Sequence, residues 1–131
     1  MSREPSPLMV AVVDDNPRIR QLIEDEIHDE GHNVKGFSSG EAFLNAARQE
    51  SIDLVLMDLM MPGMDGLECL KRLQHQSQHG ATPRVVIVTA LNDSGKRQAA
   101  FQAGAENYVL KPDLFEQLPS LLTEDRRTKD T

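Results

Sequence analysis

Three short runs of consecutive apolar residues divide the chain, and none of them alternates with polar residues. They are Leu8 to Val13, Leu54 to Met57 and Val85 to Val88. Unbroken runs rich in β-branched residues are typical of strands buried on both faces, as in a parallel sheet. Two weaker segments, Asn33 to Phe37 and Asn107 to Leu110, predict two further strands.

Helical periodicity follows each predicted strand. The five apolar stripes begin at Ile19, Phe43, Leu67, Ala99 and Leu114. Ser38 and Glu41 have the spacing of a capping box ahead of the second helix. Asn92 or Asp93 is a suitable cap for the fourth helix, and Gly104 ends it. Strand and helix therefore alternate five times along the chain.

This alternation predicts an α/β fold: a doubly wound, five-stranded parallel sheet with helices on both faces. For five strands the common order is 2-1-3-4-5, the flavodoxin-like (βα)5 arrangement, with right-handed crossovers. Ligands of such folds bind at the carboxyl ends of the strands, where strands 1 and 3 lie side by side.

The chain has 131 residues, enough for one domain, which we assign to residues 8–122. Residues 1–7 are expected to form a disordered leader, and residues 123–131 a charged tail or the start of a linker. A single cysteine, Cys69, excludes an intrachain disulfide and suits the cytoplasm.

Charge and hydropathy narrow the range of partners. The formal net charge of −7 disfavours nucleic-acid binding by this domain alone, because an acidic surface repels phosphate. No apolar run approaches the roughly 20 residues that a membrane helix needs, so no membrane insertion is expected.

Chemically useful side chains follow the predicted strands. Asp14 and Asp15 follow strand 1, Asp58 follows strand 3, Thr89 ends strand 4 and Lys111 follows strand 5. Each residue taken alone has an ordinary structural explanation, as a turn residue, a helix cap or a solvated lysine. The convergence of four strand ends on one crevice favours a shared functional site instead. Three carboxylates in one place need a cation, and a hydrated oxygen site selects Mg²⁺ or Mn²⁺. An aspartate beside such a metal is a competent nucleophile toward phosphorus.

Four segments at these positions resemble the receiver domains of two-component response regulators. They are Val13-Asp14-Asp15-Asn16, Asp58 to Gly66, Val88-Thr89-Ala90 and Gly104 to Pro112. The resemblance extends from Leu8 to Leu122, with the motifs in the family order and at family-like intervals.

The resemblance implies a role for each matching residue. Asp58 resembles the phosphoacceptor, Asp15 a direct metal ligand and Asp14 a neighbour acting through water. The backbone carbonyl of Met60 would complete the metal shell, with Mg²⁺ or Mn²⁺ as the cofactor. Lys111 resembles the phosphate-binding lysine.

The remaining matches concern the conformational switch. Thr89 resembles the switch hydroxyl and Tyr108 the switch aromatic, which would turn inward after phosphorylation. Ala90 and Pro112 are supporting residues, and the peptide bond before Pro112 is expected to be cis by resemblance.

The implied function is phosphoryl acceptance on Asp58, dependent on Mg²⁺, which changes a partner-binding or output-binding face. The donor would be a sensor histidine kinase or a histidine phosphotransfer protein. The changed face would act on a downstream protein or on an output domain outside this sequence. Such a domain is a phosphoacceptor with at most slow self-phosphorylation and autodephosphorylation, rather than an enzyme.

Some residues depart from the family pattern. Asp113 stands where an aromatic residue is common, and Pro119 falls within the last helical stripe, which predicts a short or bent helix. Met60 and Leu91 flank the acceptor, and both are poor at orienting water. These two residues predict a long-lived phosphoryl group.

Other site classes fit the sequence less well. A flavin mononucleotide site would not place Asp14 and Asp15 in its phosphate turn. A haloacid-dehalogenase-type phosphatase needs a general acid where Met60 stands. The segment from Asp58 to Gly66 lacks the spacing of a Ca²⁺ loop. A receiver-like interaction module without phosphorylation remains the alternative.

Overall fold

The computed structural model describes residues 6–76 and 82–123. Five strands alternate with five α-helices. The strands are β1 (Met9–Val13), β2 (Asn33–Phe37), β3 (Leu54–Met57), β4 (Arg84–Thr89) and β5 (Asn107–Leu110). The helices are α1 (Pro17–Asp29), α2 (Gly40–Gln49), α3 (Gly66–Gln76), α4 (Ser94–Gln102) and α5 (Leu114–Thr123). A short 3-10 turn, Lys111–Asp113, precedes α5.

All strand pairs are parallel, and the sheet order is β2-β1-β3-β4-β5. The predicted fold class and strand order are therefore confirmed. Every residue of β3 and β4 is buried, as their unbroken apolar sequences predict. The edge strand β2 is mostly exposed, which explains its weaker hydrophobic signal.

Successive residues of the central strands point to opposite faces and build two apolar layers. One layer joins Val10, Val12, Leu54 and Leu56 to α1 and α5. The other joins Ala11, Val13, Val55 and Met57 to α2, α3 and α4. The helices therefore cover both faces of the sheet and leave the carboxyl ends of the strands for the loops.

Side-chain caps set where the helices begin. Asn16 accepts hydrogen bonds from the amides of Arg18 and Ile19 at the start of α1. The hydroxyl of Ser39 caps α2, so the capping box predicted from Ser38 is wrong by one residue. Asp93, one of the two predicted candidates, caps α4.

Two prolines, Pro112 and Pro119, are the subject of expectations from the sequence. The described residues contain no cis peptide bond, so the expectation of a cis bond before Pro112 is wrong for this structure. Pro112 instead lies in the trans form within the 3-10 turn, which suits its fixed φ. Helix α5 is short, with ten residues, but it continues through Pro119. Proline has no amide hydrogen, so Pro119 leaves the Phe115 carbonyl without its usual helical hydrogen bond. Both residues are exposed, so water can bind this carbonyl instead.

Parts of the predicted leader and tail, residues 1–5 and 124–131, lie outside the described residues. Within the described ranges, every helix is too short or too polar to span a bilayer. Cys69 is fully buried, and burial raises the pKa of its thiol to about 12. This thiol is therefore protonated and unreactive in the folded chain.

Candidate functional site

Two buried aspartates lie side by side because of strand register. Val13 and Met57 are register partners at the ends of β1 and β3, so Asp14 and Asp58 follow at the same level. The Asp58 amide donates to the Val13 carbonyl at 2.9 Å, which fixes the backbone of the two loops. Asp14 is 3% exposed and Asp58 5% exposed, so both carboxyl groups are largely removed from water.

Lys111 bridges these two aspartates. Its Nζ lies 3.0 Å from Oδ2 of Asp58 and 3.1 Å from Oδ2 of Asp14. Pairing of Thr89 with Leu110 aligns the ends of β4 and β5 and brings the next residue, Lys111, toward the acids. Lys111 is thus a partly buried counterion, and the alternative of a solvated loop lysine is wrong.

The pKa values of these groups respond to burial and to each other. Burial raises the pKa of Asp58 above its ordinary value, against the lowering effect of hydrogen bonds from Lys111 and the Met60 amide. Burial alone would lower the pKa of Lys111, but its hydrogen bonds to Asp58 and Asp14 outweigh that and raise it. Lys111 therefore carries its charge at neutral pH.

Asp15 completes an acidic cluster at the same edge. One carboxylate oxygen each from Asp14, Asp15 and Asp58 lies within 4.8 Å of the others. Two oxygens bound to one Mg²⁺ lie at most about 4.2 Å apart, because each Mg–O distance is about 2.1 Å. The cluster therefore fits a hydrated divalent cation, with one carboxylate moving slightly or binding through water. Three carboxylates face one ammonium group, so the site is short of positive charge.

The loop after Asp58 folds back closely on this residue. The Met60 amide donates to Oδ1 of Asp58 at 3.2 Å, while the Met60 side chain is exposed. The Gly66 amide donates to the Leu59 carbonyl at 2.8 Å. A Cβ on Gly66 would lie 2.8 Å from the Leu59 Cα, so only glycine fits. No local sequence pattern indicates a role for Gly66, because the requirement for glycine arises only from this contact between the loop and the start of α3.

The residues predicted as the switch are joined through one peptide segment. Thr89 is fully buried, and its Oγ1 accepts a hydrogen bond from the Leu91 amide at 3.2 Å. The Tyr108 hydroxyl donates to the Leu91 carbonyl at 2.6 Å. Leu91 thus links the end of β4 to the middle of β5. Of the supporting residues, Ala90 and Pro112 are exposed in the two adjoining loops.

Tyr108 is already buried in this conformation, which differs from the outward position that the expected inward turn requires. Two contacts explain this: its hydrogen bond to Leu91, and the guanidinium of Arg97, which lies 5.8 Å from the ring centroid. Arg97 also lies 5.2 Å from the ring centroid of Phe101. A cation stacked on an aromatic ring stabilises that ring position.

An open groove of about 430 Å³ adjoins the acidic cluster. Met60, Met61, Leu67 and Leu91 line it, with Asp65 and Lys96 at the polar positions. The residues beside Asp58 in this groove are therefore mainly apolar, as the sequence indicated for Met60 and Leu91.

Comparison with known proteins gives consistent matches. The family model described as response regulator receiver domain matches residues 10–123. The sensor histidine kinase GacS of Pseudomonas protegens is 36% identical over 115 residues, covering 86% of this chain and 12% of that protein. The transcriptional regulatory protein ResD of Bacillus subtilis is 33% identical over 103 residues, covering 79% of this chain and 41% of that protein. The chain thus spans well under half the length of either curated relative.

A solved structure matches along nearly its whole length. The Vibrio cholerae chemotaxis protein CheY4 superposes with a TM-score of 0.81 at 30% identity. The alignment covers 89% of this chain and 97% of that chain. The family match includes all five positions that the sequence analysis singled out at the strand ends.

Proposed function

The chain belongs to the response regulator receiver domain family, and on that basis we propose that it accepts a phosphoryl group on Asp58. The observation that carries the proposal is the placement of Asp58. Its carboxylate is buried at the end of β3, contacts Lys111 at 3.0 Å and lies within 4.8 Å of two further carboxylates. A structural aspartate has no need of this combination.

The metal site that we propose consists of the carboxylates of Asp14, Asp15 and Asp58 and the backbone carbonyl of Met60. Their oxygen donors and net negative charge suit Mg²⁺, and Mn²⁺ as a substitute. When bound, the divalent ion offsets negative charge on the carboxylates and on the transferred phosphoryl group. Asp14 is the ligand best placed to act through water, because its two oxygens already contact the Asn16 amide and Lys111.

Asp58 acts as the nucleophile in the transfer. A carboxylate oxygen forms the new O–P bond while the N–P bond to the donor imidazole breaks. The donor histidine keeps the electron pair of that bond and takes up a proton. The ammonium group of Lys111 moves from its carboxylate partners to pair with one phosphoryl oxygen. The Thr89 hydroxyl donates a hydrogen bond to a second phosphoryl oxygen. A phosphohistidine donor fits this chemistry, on either a sensor histidine kinase or a histidine phosphotransfer protein.

Phosphorylation is read out through the backbone of Leu91. When the Thr89 hydroxyl turns toward the phosphoryl group, it changes its hydrogen bond with the Leu91 amide, and the Leu91 carbonyl is held by Tyr108. Ala90 lies between Thr89 and Leu91, and Pro112 directs the chain away after Lys111. The face formed by α4, β5 and α5 then favours one of two pre-existing states. We place this domain in the cytoplasm, acting on a downstream protein or on an output domain outside this sequence.

Intact-mass measurement after incubation with acetyl phosphate tests the proposal. We expect the native chain to gain one phosphoryl group with Mg²⁺, and to gain none with a chelator. The Asp58→Asn variant should gain none under either condition while keeping its fold. No gain in a native chain that binds Mg²⁺ would overturn the proposal in favour of an interaction module without phosphorylation. A gain that persists in Asp58→Asn would reject Asp58 as the acceptor.

The phosphorylated state is predicted to decay over minutes or longer rather than seconds. Hydrolysis needs a water positioned in line with the O–P bond, and neither Met60 nor Leu91 carries a group that orients one. Met60→Gln introduces such a group at an exposed position beside the acceptor and should shorten the lifetime. Repeated mass measurement after removal of acetyl phosphate checks both lifetimes. Decay within seconds in the native chain would contradict this prediction.

A further inference from the structure

Arg20, on the first turns of α1, contacts the acidic cluster from outside. Its Nη1 donates to the backbone carbonyl of Asp14 at 2.7 Å. Its Nε lies 3.7 Å from Oε2 of Glu24, one turn further along the helix. The side chain is only 21% exposed, so this arginine is held against the protein rather than extended into water.

The carbonyl that Arg20 holds belongs to the peptide bond between Asp14 and Asp15. The Asp14 amide is fixed by the Phe37 carbonyl at 3.0 Å, and the Asp14 carboxylate by the Asn16 amide and Lys111. The Asp15 side chain is exposed and makes no hydrogen bond or ion pair within the described part of the chain. The direction of its carboxylate therefore depends on the orientation of this peptide bond.

Gly36 on the edge strand β2 provides the space in which the paired side chains of Glu24 and Arg20 lie. A Cβ at this position would overlap the Glu24 carboxylate and lie 3.0 Å from the Arg20 Cδ. Glycine weakens a strand because it has no side chain to pack, so its presence here needs a local reason. The space for the Arg20–Glu24 pair is that reason.

We propose that Arg20 is a positioning residue for the divalent cation: it holds the Asp14–Asp15 peptide so that the Asp15 carboxylate faces the site. This inference rests on the proposed function, since it concerns the same metal site. Arg20 does not contact the carboxylate oxygens of the cluster; it acts through the backbone carbonyl. Outer contacts that orient a ligand typically change metal affinity 10- to 100-fold when removed.

Electrostatics alone predicts the opposite change in Mg²⁺ affinity when Arg20 is removed. Arg20 is a positive charge near a cation site, so removing it should strengthen Mg²⁺ binding if charge were its only effect. Removing a positioning contact should weaken Mg²⁺ binding instead. Arg18 provides the matched control, because it carries the same charge two residues earlier on α1 and its side chain is exposed.

Calorimetric titration with Mg²⁺ shows whether removal of Arg20 weakens or strengthens Mg²⁺ binding. We expect Arg20→Gln to bind Mg²⁺ about 10-fold more weakly than the native chain. Arg18→Gln should bind equally or slightly more tightly. Gly36→Ala keeps Arg20, but its Cβ displaces the Glu24 carboxylate that pairs with Arg20 and crowds the Arg20 Cδ. It should weaken Mg²⁺ binding in the same direction as Arg20→Gln, by a smaller factor. Melting temperatures without Mg²⁺ show that the variants are folded.

The outcomes separate this inference from the function on which it rests. Native-like or tighter Mg²⁺ binding by Arg20→Gln would overturn the positioning role while leaving the phosphoacceptor proposal in place. If the native chain binds no Mg²⁺, both are overturned. If Arg20→Gln unfolds, the change in Mg²⁺ affinity of Gly36→Ala decides, because this substitution is at an exposed edge position and disturbs the Arg20–Glu24 pair. Weaker binding supports the positioning role, and native-like or tighter binding overturns it.

Discussion

Replacement of Lys111 by methionine is expected to slow phosphorylation of Asp58 by about 10²-fold, because it removes the positive charge that the transferred phosphoryl group would meet. Among the described residues, Lys111 makes the only ion pair of Asp58, at 3.0 Å. Methionine keeps the length and the apolar stem of the side chain. The initial rate of mass gain with acetyl phosphate at saturating Mg²⁺ measures the effect.

The same substitution should strengthen Mg²⁺ binding. In the native chain the ammonium group of Lys111 lies within 3.1 Å of Oδ2 of both Asp14 and Asp58, where it competes with a divalent cation. Lys96→Met is the control, since Lys96 is exposed on the groove next to the site and should affect both measurements only weakly. If rate and affinity fell together in Lys111→Met, Lys111 would instead be needed to hold the site in shape.

The second large effect concerns stability at the opposite end of β4. Arg84 is 6% exposed, and its guanidinium donates to both carboxylate oxygens of Glu106 and to the Leu121 carbonyl. We expect Arg84→Met to lower the free energy of unfolding by about 3–5 kcal/mol, because it leaves a partly buried carboxylate without this partner. It also removes a donor from one of the last carbonyls of α5. Urea unfolding measures the loss.

An exposed ion pair provides the comparison for Arg84. Arg72 and Glu68 are 2.6 Å apart, closer than Arg84 and Glu106 at 2.8 Å, but their side chains are 59% and 50% exposed. Arg72→Met should therefore cost less than about 1 kcal/mol. An equal loss in the two variants would show that burial does not decide the strength of the Arg84 contacts.

A double substitution tests the cause of the Arg84 effect. Arg84→Met combined with Glu106→Met also removes the carboxylate that loses Arg84 as its partner, and should recover much of the lost stability. Neither variant should change Mg²⁺ affinity, since Arg84 begins the strand that Thr89 ends, about 17 Å away at 3.3 Å per residue. Weaker Mg²⁺ binding in Arg84→Met would show that the two ends of β4 are coupled.

Much of the fold and the main candidate residues follow from local sequence. The apolar runs are long enough to define the strands, and alternation with helical stripes leaves a parallel sheet as the simple arrangement. Because parallel strands end at one edge, residues directly after them converge whatever the details of packing. Asp14, Asp58 and Lys111 were predicted in this way, and in the structure Nζ of Lys111 lies within 3.1 Å of Oδ2 of each aspartate.

The same local pattern does not separate residues whose roles depend on distant contacts. Arg84 and Arg72 are both arginines in the sequence, and only the packing of α5 and the loop before β5 buries one of them. Arg20 and Gly36 are 16 residues apart, and their relation depends on α1 packing beside the edge strand. Long polar side chains are solvated by default, so a sequence pattern predicts exposure for all of them.

The sequence by itself determined the five strands, the five helices and the strand-end acids, because each depends on periodicity or on position directly after a strand. The sheet order followed from the arrangement that is common for five alternating strands and helices. Tertiary structure decided which serine caps α2, how closely Gly66 approaches Leu59, and that Tyr108 lies inside against Leu91. It also decided the partners of Arg20 and Arg84. These features depend on distances between separate segments and on the exclusion of water, which no local pattern of residues contains.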